Sequence, residues 1–324
     1  MTDTALIAIG GNALVHEGEV GTLDRQHQRA ADFAAVVAEV VSLGMKAVIT
    51  HGNGPQVGYI LRRGELVAGQ SSGEGLPGLP LWLAVADSQG GIGHLLAVAL
   101  DSALAGAGLP HRAATVLTHV EVDRADPAFA QPTKPIGPTL NAERADQLTR
   151  EEGWAHGETS PGRWRRLVAS PQPQSILEVD AVAALSADPT TIVIAAGGGG
   201  IPVASTADGW TPVDAVVDKD RTSALLAARL GIGTLVLVTG VDAVRIAFGT
   251  PQEQVLAEVS AEQMAHWLGE GHFPPGSMGP KVEAALNFLD AGGDCAVITS
   301  MENVVAALQG SAGTRITPTG RQPR

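Results

Sequence analysis

The chain has 324 residues, 44% of them hydrophobic and 17% charged, with a formal net charge of −13. That is ample for one large α/β unit or two lobes, and such net acidity argues against nucleic acid or an anionic membrane surface as the main partner. The single cysteine, Cys295, excludes an internal disulfide and a thiolate metal cluster.

Thr4–Ile9 is a short apolar run that stops at Gly10-Gly11-Asn12. Residues 25–43 then repeat apolar side chains (Ala30, Phe33, Val36, Val37, Val40, Val41) at helical spacing, and Gly44 supplies a stop. The pattern recurs. A strand at Ala47–Thr50 runs into His51-Gly52-Asn53-Gly54-Pro55, a helix is predicted over Ile92–Ala107, a strand over Ala113–Thr118, and Thr191–Ala196 ends in four glycines. Further along come a helix near Ser223–Leu230, a strand at Thr234–Val238, helices near Ala261–Leu268 and Lys281–Leu289, and a strand at Ala296–Thr299. Apolar strands alternating with helices predict a parallel sheet covered on both faces, the later series forming a second lobe of the same class.

Between Pro127 and Pro173 lie seven of the 20 prolines, two of the five tryptophans and the cluster Arg163, Arg165, Arg166. A long irregular segment with apolar anchors such as Ile136 and Leu167 predicts an ordered lid. Residues 70–78 read as a mobile surface loop. No apolar run approaches the roughly 20 residues of a membrane span. Residues 1–12 lack the charged start and cleavage site of a signal peptide, so a cytoplasmic protein is expected.

The chemistry is expected in the glycine turns and in the lysines. Bare backbone N–H groups after a strand make an anion site, although a tight βα turn would read the same way. Two such turns at the carboxyl ends of parallel strands would face one crevice. Neither is a dinucleotide fingerprint: the glycines of Gly52-Asn53-Gly54-Pro55-Gln56-Val57-Gly58 miss that spacing by one residue, and no P-loop motif occurs. The chain uses 17 arginines but four lysines, at 46, 134, 219 and 281. Each alone reads as a solvated surface charge. Three of the four nevertheless sit in rigid or glycine-rich loops, Pro132-Thr133-Lys134-Pro135, Asp218-Lys219-Asp220 and Gly276-Ser277-Met278-Gly279-Pro280-Lys281, where a compact point charge suits phosphate oxygens. His51 beside Gly52 invites a general-base reading but is read as structural. Scattered histidines such as His156 and His272 lack metal-ligand spacing, so no protein metal site is expected.

These motifs, together with Gly197-Gly198-Gly199-Gly200-Ile201-Pro202-Val203 and Pro275-Gly276-Ser277-Met278, closely resemble the carbamate kinases of the amino acid kinase family, in order from about Leu6 to Thr317. The resemblance implies an open αβα sandwich with a mainly parallel sheet and a protruding lid, assembled as a homodimer. It divides the chain into an acceptor lobe (1–217, with the lid insert at about 120–175) and a nucleotide lobe (218–324). It implies reversible transfer between ATP plus carbamate and ADP plus carbamoyl phosphate, with Mg²⁺ carried by the nucleotide. Small molecules are then the only partners, with neither nucleic acid nor membrane. Carried over by position, Gly10, Gly11, Asn12, Gly52, Asn53 and Gly54 surround the acceptor. Lys134, Lys219, Asp220 and Lys281 serve the transfer, and Thr239, Gly240, Asp242, Phe248, Gly276, Ser277 and Met278 join Lys219 and Lys281 around the nucleotide.

The chain also departs from that family pattern. Trp82 stands where the family has Asp, and Asp87-Ser88-Gln89-Gly90 and His94 replace its usual helix residues. Thr139 replaces Phe or Tyr, Pro161-Gly162-Arg163-Trp164 replaces Gly-Arg-Gly-Trp, and Arg221 follows Asp220. Two other readings therefore stand beside the first: a kinase of this fold acting on another small carboxylate or carbamate-like acid, and a non-catalytic carbamoyl-phosphate-binding regulator.

Overall fold

The structure is a computed structural model describing residues 3–10, 21–68, 77–274 and 276–320. Strand β1 (Thr4–Ile9) is buried along nearly its whole length and pairs in parallel with β2 (Lys46–His51), Ile7 opposite Ile49. Between them runs α1 (Leu23–Ser42). The Thr22 hydroxyl accepts from Arg25 N at its start, and Gly44, at φ +83°, turns the chain after its end. The turn after β2 leads straight into α2 (Gln56–Ala68), followed by α3 (Leu81–Gly106).

Helix α3 begins eleven residues earlier than the apolar periodicity predicts. Its first turns point polar side chains inward: Ser88 Oγ donates to Val85 O, and buried Gln89 donates to Gly197 O at 2.8 Å while accepting from Thr118 N at 2.6 Å. That bonding makes the inward polar residues tolerable and hides the helix from hydropathy. By length and composition α3 is also apolar enough to cross a membrane, which amends the expectation that no such run exists. Here Ile92, Leu96, Leu100 and Leu104 are packed against α1 and the sheet.

Strand β3 (Arg112–Thr115) stops three residues short of expectation because Thr118 leaves the ladder, its hydroxyl accepting from Ala196 N. Then β4 (His119–Val122) opens a second sheet. The lid follows: β5 (Lys134–Leu140), α4 (Ala142–Glu152), β6 (Ala155–Ser160) and β7 (Arg163–Val168). Asn141 caps α4 and Gly153, left-handed, ends it. The strands pair antiparallel as β5-β7-β6, so the proline-rich segment holds an ordered subdomain of its own.

The chain returns through β8 (Pro173–Ile176), α5 (Val179–Ala187), β9 (Thr191–Ile194), β10 (Ile201–Thr206) and β11 (Gly209–Pro212). The remainder is α6 (Lys219–Arg229), β12 (Thr234–Thr239), β13 (Arg245–Ile246), β14 (Gln254–Val255), β15 (Glu258–Ser260), α7 (Ala261–Gly269), α8 (Met278–Asp290), β16 (Cys295–Ser300), α9 (Val304–Leu308) and β17 (Thr314–Thr317).

The main sheet has the order β15-β17-β16-β12-β1-β2-β9-β3, parallel except that β17 and β15 run against the rest. The period-two alternation of β1 sends Leu6 and Ala8 to a core shared with α6 and α8, and Ala5, Ile7 and Ile9 to a core shared with α1 and α3. These are the two faces of an αβα sandwich, as expected.

Candidate active site

The carboxyl ends of β1, β2, β9, β12 and β16 open into one cavity of about 820 Å³, whose wall includes Gly10, Gly52 to Gly54, Gly198, Thr239, Gly240 and Ser300 to Glu302. Crevices of open parallel sheets form at that edge because every βα turn arrives there. Gly198 shows why glycine is required. At φ +68° a Cβ there would lie 3.1 Å from the Asn53 Cβ, so only a bare backbone brings the two turns this near.

The head of α6 organises the charge. Asp218 is its N-cap: Oδ1 accepts from Asp220 N at 2.9 Å, while Oδ2 takes Lys134 Nζ of the lid at 2.7 Å. Asp220 Oδ1 receives Lys219 Nζ, and its Oδ2 receives Lys281 Nζ from α8 at 2.9 Å. Lys219 and Asp220 are buried, 8% and 3% exposed.

Burial by itself would raise both aspartate pKa values. The ammonium groups outweigh it and hold Asp218 and Asp220 below the usual carboxylate range. Burial lowers Lys219. For Lys281 burial works downward too, but Asp220 prevails and raises it. Three ammonium groups thus share two carboxylates at the positive end of a helix, a surplus aimed at the cavity.

Gly10, Gly52, Asn53, Gly54, Lys134, Lys219, Asp220, Thr239, Gly240, Gly276, Ser277 and Lys281 all line the cavity. Gly11 and Asn12, with Pro275 and most of the expected loop at 70–78, lie outside the described residues. Three expected nucleotide residues are not on the wall. Met278 packs against the core, Asp242 accepts from Asn303 Nδ2 at 3.1 Å, and Phe248 is 67% exposed. Trp82 and Asp87, on α3, are also off the wall, whereas Thr139 is on it.

His51 is buried, with Nδ1 donating to Gly52 O at 2.9 Å. Burial depresses it to about 4, so the ring is neutral at pH 7. On the wall itself, Asn53 Nδ2 is a buried donor with no hydrogen-bond partner among the described residues. No cluster of three or more His, Cys, Asp or Glu among the described residues is placed to hold a metal ion.

The sequence reading assigned Asp220 the task of organising the lysines but did not give Asp218 the lid lysine. An Asp just ahead of a predicted helix is the N-cap signal that was available for Asp218's position, though not for its partner 84 residues away. Arg29 and Tyr59, also on the wall, carried no sequence signal of their own, whereas Arg163 and Arg165 come from the basic cluster of the lid segment.

Residues 3–300 match the sequence profile described as Amino acid kinase family. The chain is 45% identical to the carbamate kinase-like protein YahI of Escherichia coli over 98% of this chain and 100% of that one. It is 41% identical to a carbamate kinase of Pyrococcus horikoshii, again over 98% and 100%. The carbamate kinase of Giardia lamblia bound to AMP-PNP superposes with a TM-score of 0.88 at 36% identity, covering 98% of this chain and 99% of that one. With a profile match across nearly its whole length and relatives this similar, the chain belongs to the amino acid kinase family.

Proposed function

We infer that this protein is a carbamate kinase, moving a phosphoryl group reversibly between ATP and carbamate. The observation that carries the reading is the cluster Lys134–Asp218, Lys219–Asp220–Lys281, held at the sheet's carboxyl edge against the Gly52–Gly54 turn. In the forward direction a carbamate oxygen forms its bond to the γ-phosphorus as the bond from that phosphorus to the ADP oxygen breaks. The nucleophile is already an anion, so no protein base is needed, in keeping with a neutral, buried His51. What the protein must supply is alignment and fixed positive charge.

In this reading Lys219 and Lys281 neutralise the phosphates, Asp220 positions both, and Lys134 reaches in from the lid. Gly10 and Gly54 present backbone donors to the acceptor, Gly52, whose N–H donates to Ile9 O at 3.0 Å, shapes the wall beside it, and the unpartnered Asn53 amide is available to it. Thr239, Gly240, Gly276 and Ser277 lie on the nucleotide side. The carboxylates of Asp218 and Asp220 are both taken by ammonium groups, which supports Mg²⁺ arriving on the nucleotide phosphates. We extend the reading to acceptor and nucleotide lobes at 1–217 and 218–324 and to a cytoplasmic homodimer, for which sedimentation is the test of assembly.

A coupled assay of ATP formation tests the chemistry. Carbamoyl phosphate with ADP and Mg²⁺ should support turnover, while acetyl phosphate should serve far less well. A site that hydrogen-bonds the carbamate nitrogen is left unsatisfied by a methyl group. Equal use of both would reduce the site to a general acyl-phosphate reader, and no use of carbamoyl phosphate would overturn the assignment.

A further inference from the structure

The protein carries a net charge of −13, yet six basic side chains, Arg29, Lys134, Arg163, Arg165, Lys219 and Lys281, line the large cavity against the carboxylates of Asp218, Asp220 and Glu302. The lysines are matched to carboxylates at the head of α6. Arg163 and Arg29 are not. Arg163 stands at the start of β7, exposed on the lid; its only side-chain hydrogen bond among the described residues is a long one, Nη2 to Thr139 Oγ1 at 3.5 Å. Its backbone is held in place where Thr159 Oγ1 donates to Arg163 O at 3.1 Å. Arg29 is partly buried on α1, and its side chain has neither a hydrogen bond nor an ion pair among the described residues.

Two positions at which this chain departs from the family pattern, Thr139 and Arg163, therefore meet on one rim of the cavity. A small hydroxyl and a guanidinium stand there in place of an aromatic ring and a glycine. An acidic protein repels an anionic substrate at long range, and a cluster of uncompensated cations in a cleft reverses that field locally.

Resting on the phosphotransferase reading above, we propose that Arg163, seated against Thr139 and aided by Arg29, is a capture site for the anionic small substrate, drawing in carbamoyl phosphate before its phosphoryl group reaches the lysines. The arginines set the apparent affinity for that substrate and leave the transfer to the lysines. They are specificity-determining residues, and their effect is electrostatic, so it fades as salt rises.

The test is steady-state ATP formation by the full chain, with carbamoyl phosphate and ADP varied separately, at about 20 mM and about 300 mM NaCl. In the wild type the KM for carbamoyl phosphate should rise several-fold with salt. Arg163→Gln should raise that KM about three- to fivefold at low salt and flatten its salt dependence, with kcat within about twofold and the KM for ADP unchanged. Arg163→Lys should restore most of the affinity, and Arg29→Gln should act in the same direction. An unchanged KM with an unchanged salt slope overturns the capture site, as does an equal shift in the KM for ADP or a fall in kcat at constant KM. Wild-type protein that forms no ATP from carbamoyl phosphate overturns the phosphotransferase reading and this inference with it, whereas an active wild type with an insensitive Arg163→Gln overturns the inference alone.

Discussion

Asp220 holds two ammonium groups with one buried carboxylate, so the loss of either lysine disturbs the field at the phosphates and the position of the other. Lys219→Ala and Lys281→Ala should each lower turnover by about 10² or more, since each removes fixed positive charge from a water-poor site. Lys46 is the control. Its Nζ rests on the surface 3.4 Å from Ala187 O, and Lys46→Ala should leave turnover unchanged. Initial-rate measurements on the three variants decide this, and near-wild-type rates for both buried lysines would remove them from the phosphate site.

His51 carries a different kind of consequence. Folded, its pKa is about 4, against about 6.5 for a free imidazole. Between those values the unfolded chain binds more protons than the folded one. The stability due to the neutral buried ring is therefore complete above about pH 6.5 and is lost as pH falls towards 4, a difference of roughly 3 kcal/mol from this residue. Denaturant midpoints at pH 4.5 and 7 should differ less in His51→Gln than in the wild type, and equal pH slopes would contradict the buried neutral ring.

The lid depends on one close approach between elements. Gly58 of α2 lies against Gly137 of β5, where an added Cβ would come 2.8 Å from Gly137 N and 3.2 Å from its carbonyl carbon. Backbone atoms cannot swing aside as a side chain can, so β5 would have to move. Lys134 stands three residues back on the same strand, bonded to Asp218. Gly58→Ala should therefore loosen the lid: activity falls about tenfold, and Lys134–Val168 exchange their amide hydrogens faster. Gly91→Ala on α3 is the counterpart, with nothing within 4 Å of the new methyl, and should be neutral or slightly stabilising. Equal exchange in the two variants would remove Gly58 from the lid's seat.

Across the molecule, strands from before and after residue 218 form one continuous sheet, with β1 bonded to β12 on one edge and β2 on the other. Every strand in 1–217 of that sheet lies on one side of this seam and every later strand on the other. Two halves joined by a full parallel ladder and by cores on both faces should unfold together. Calorimetry is expected to give a single transition with equal calorimetric and van't Hoff enthalpies, and two resolved transitions would show lobes of independent stability.

The sequence by itself determined the central strands, because a strand buried on both faces must be apolar throughout. β1, β2, β12 and β16 lie within one residue of their predicted bounds at each end. It also determined the cationic cluster, since lysines that are rare and confined to rigid loops stand out, and the order of the motifs gave the family. Helix α2, the first turns of α3 and the reversed edge strands β15 and β17 needed the fold, since buried Ser88 and Gln89 read as surface until Val85, Gly197 and Thr118 are seen to satisfy them. The pairing of Lys134 with Asp218, the closeness of Gly58 to Gly137 and the meeting of Arg163 with Thr139 were decided only in three dimensions. Local patterning records which face of an element is buried; it carries no record of which distant segment will cover it.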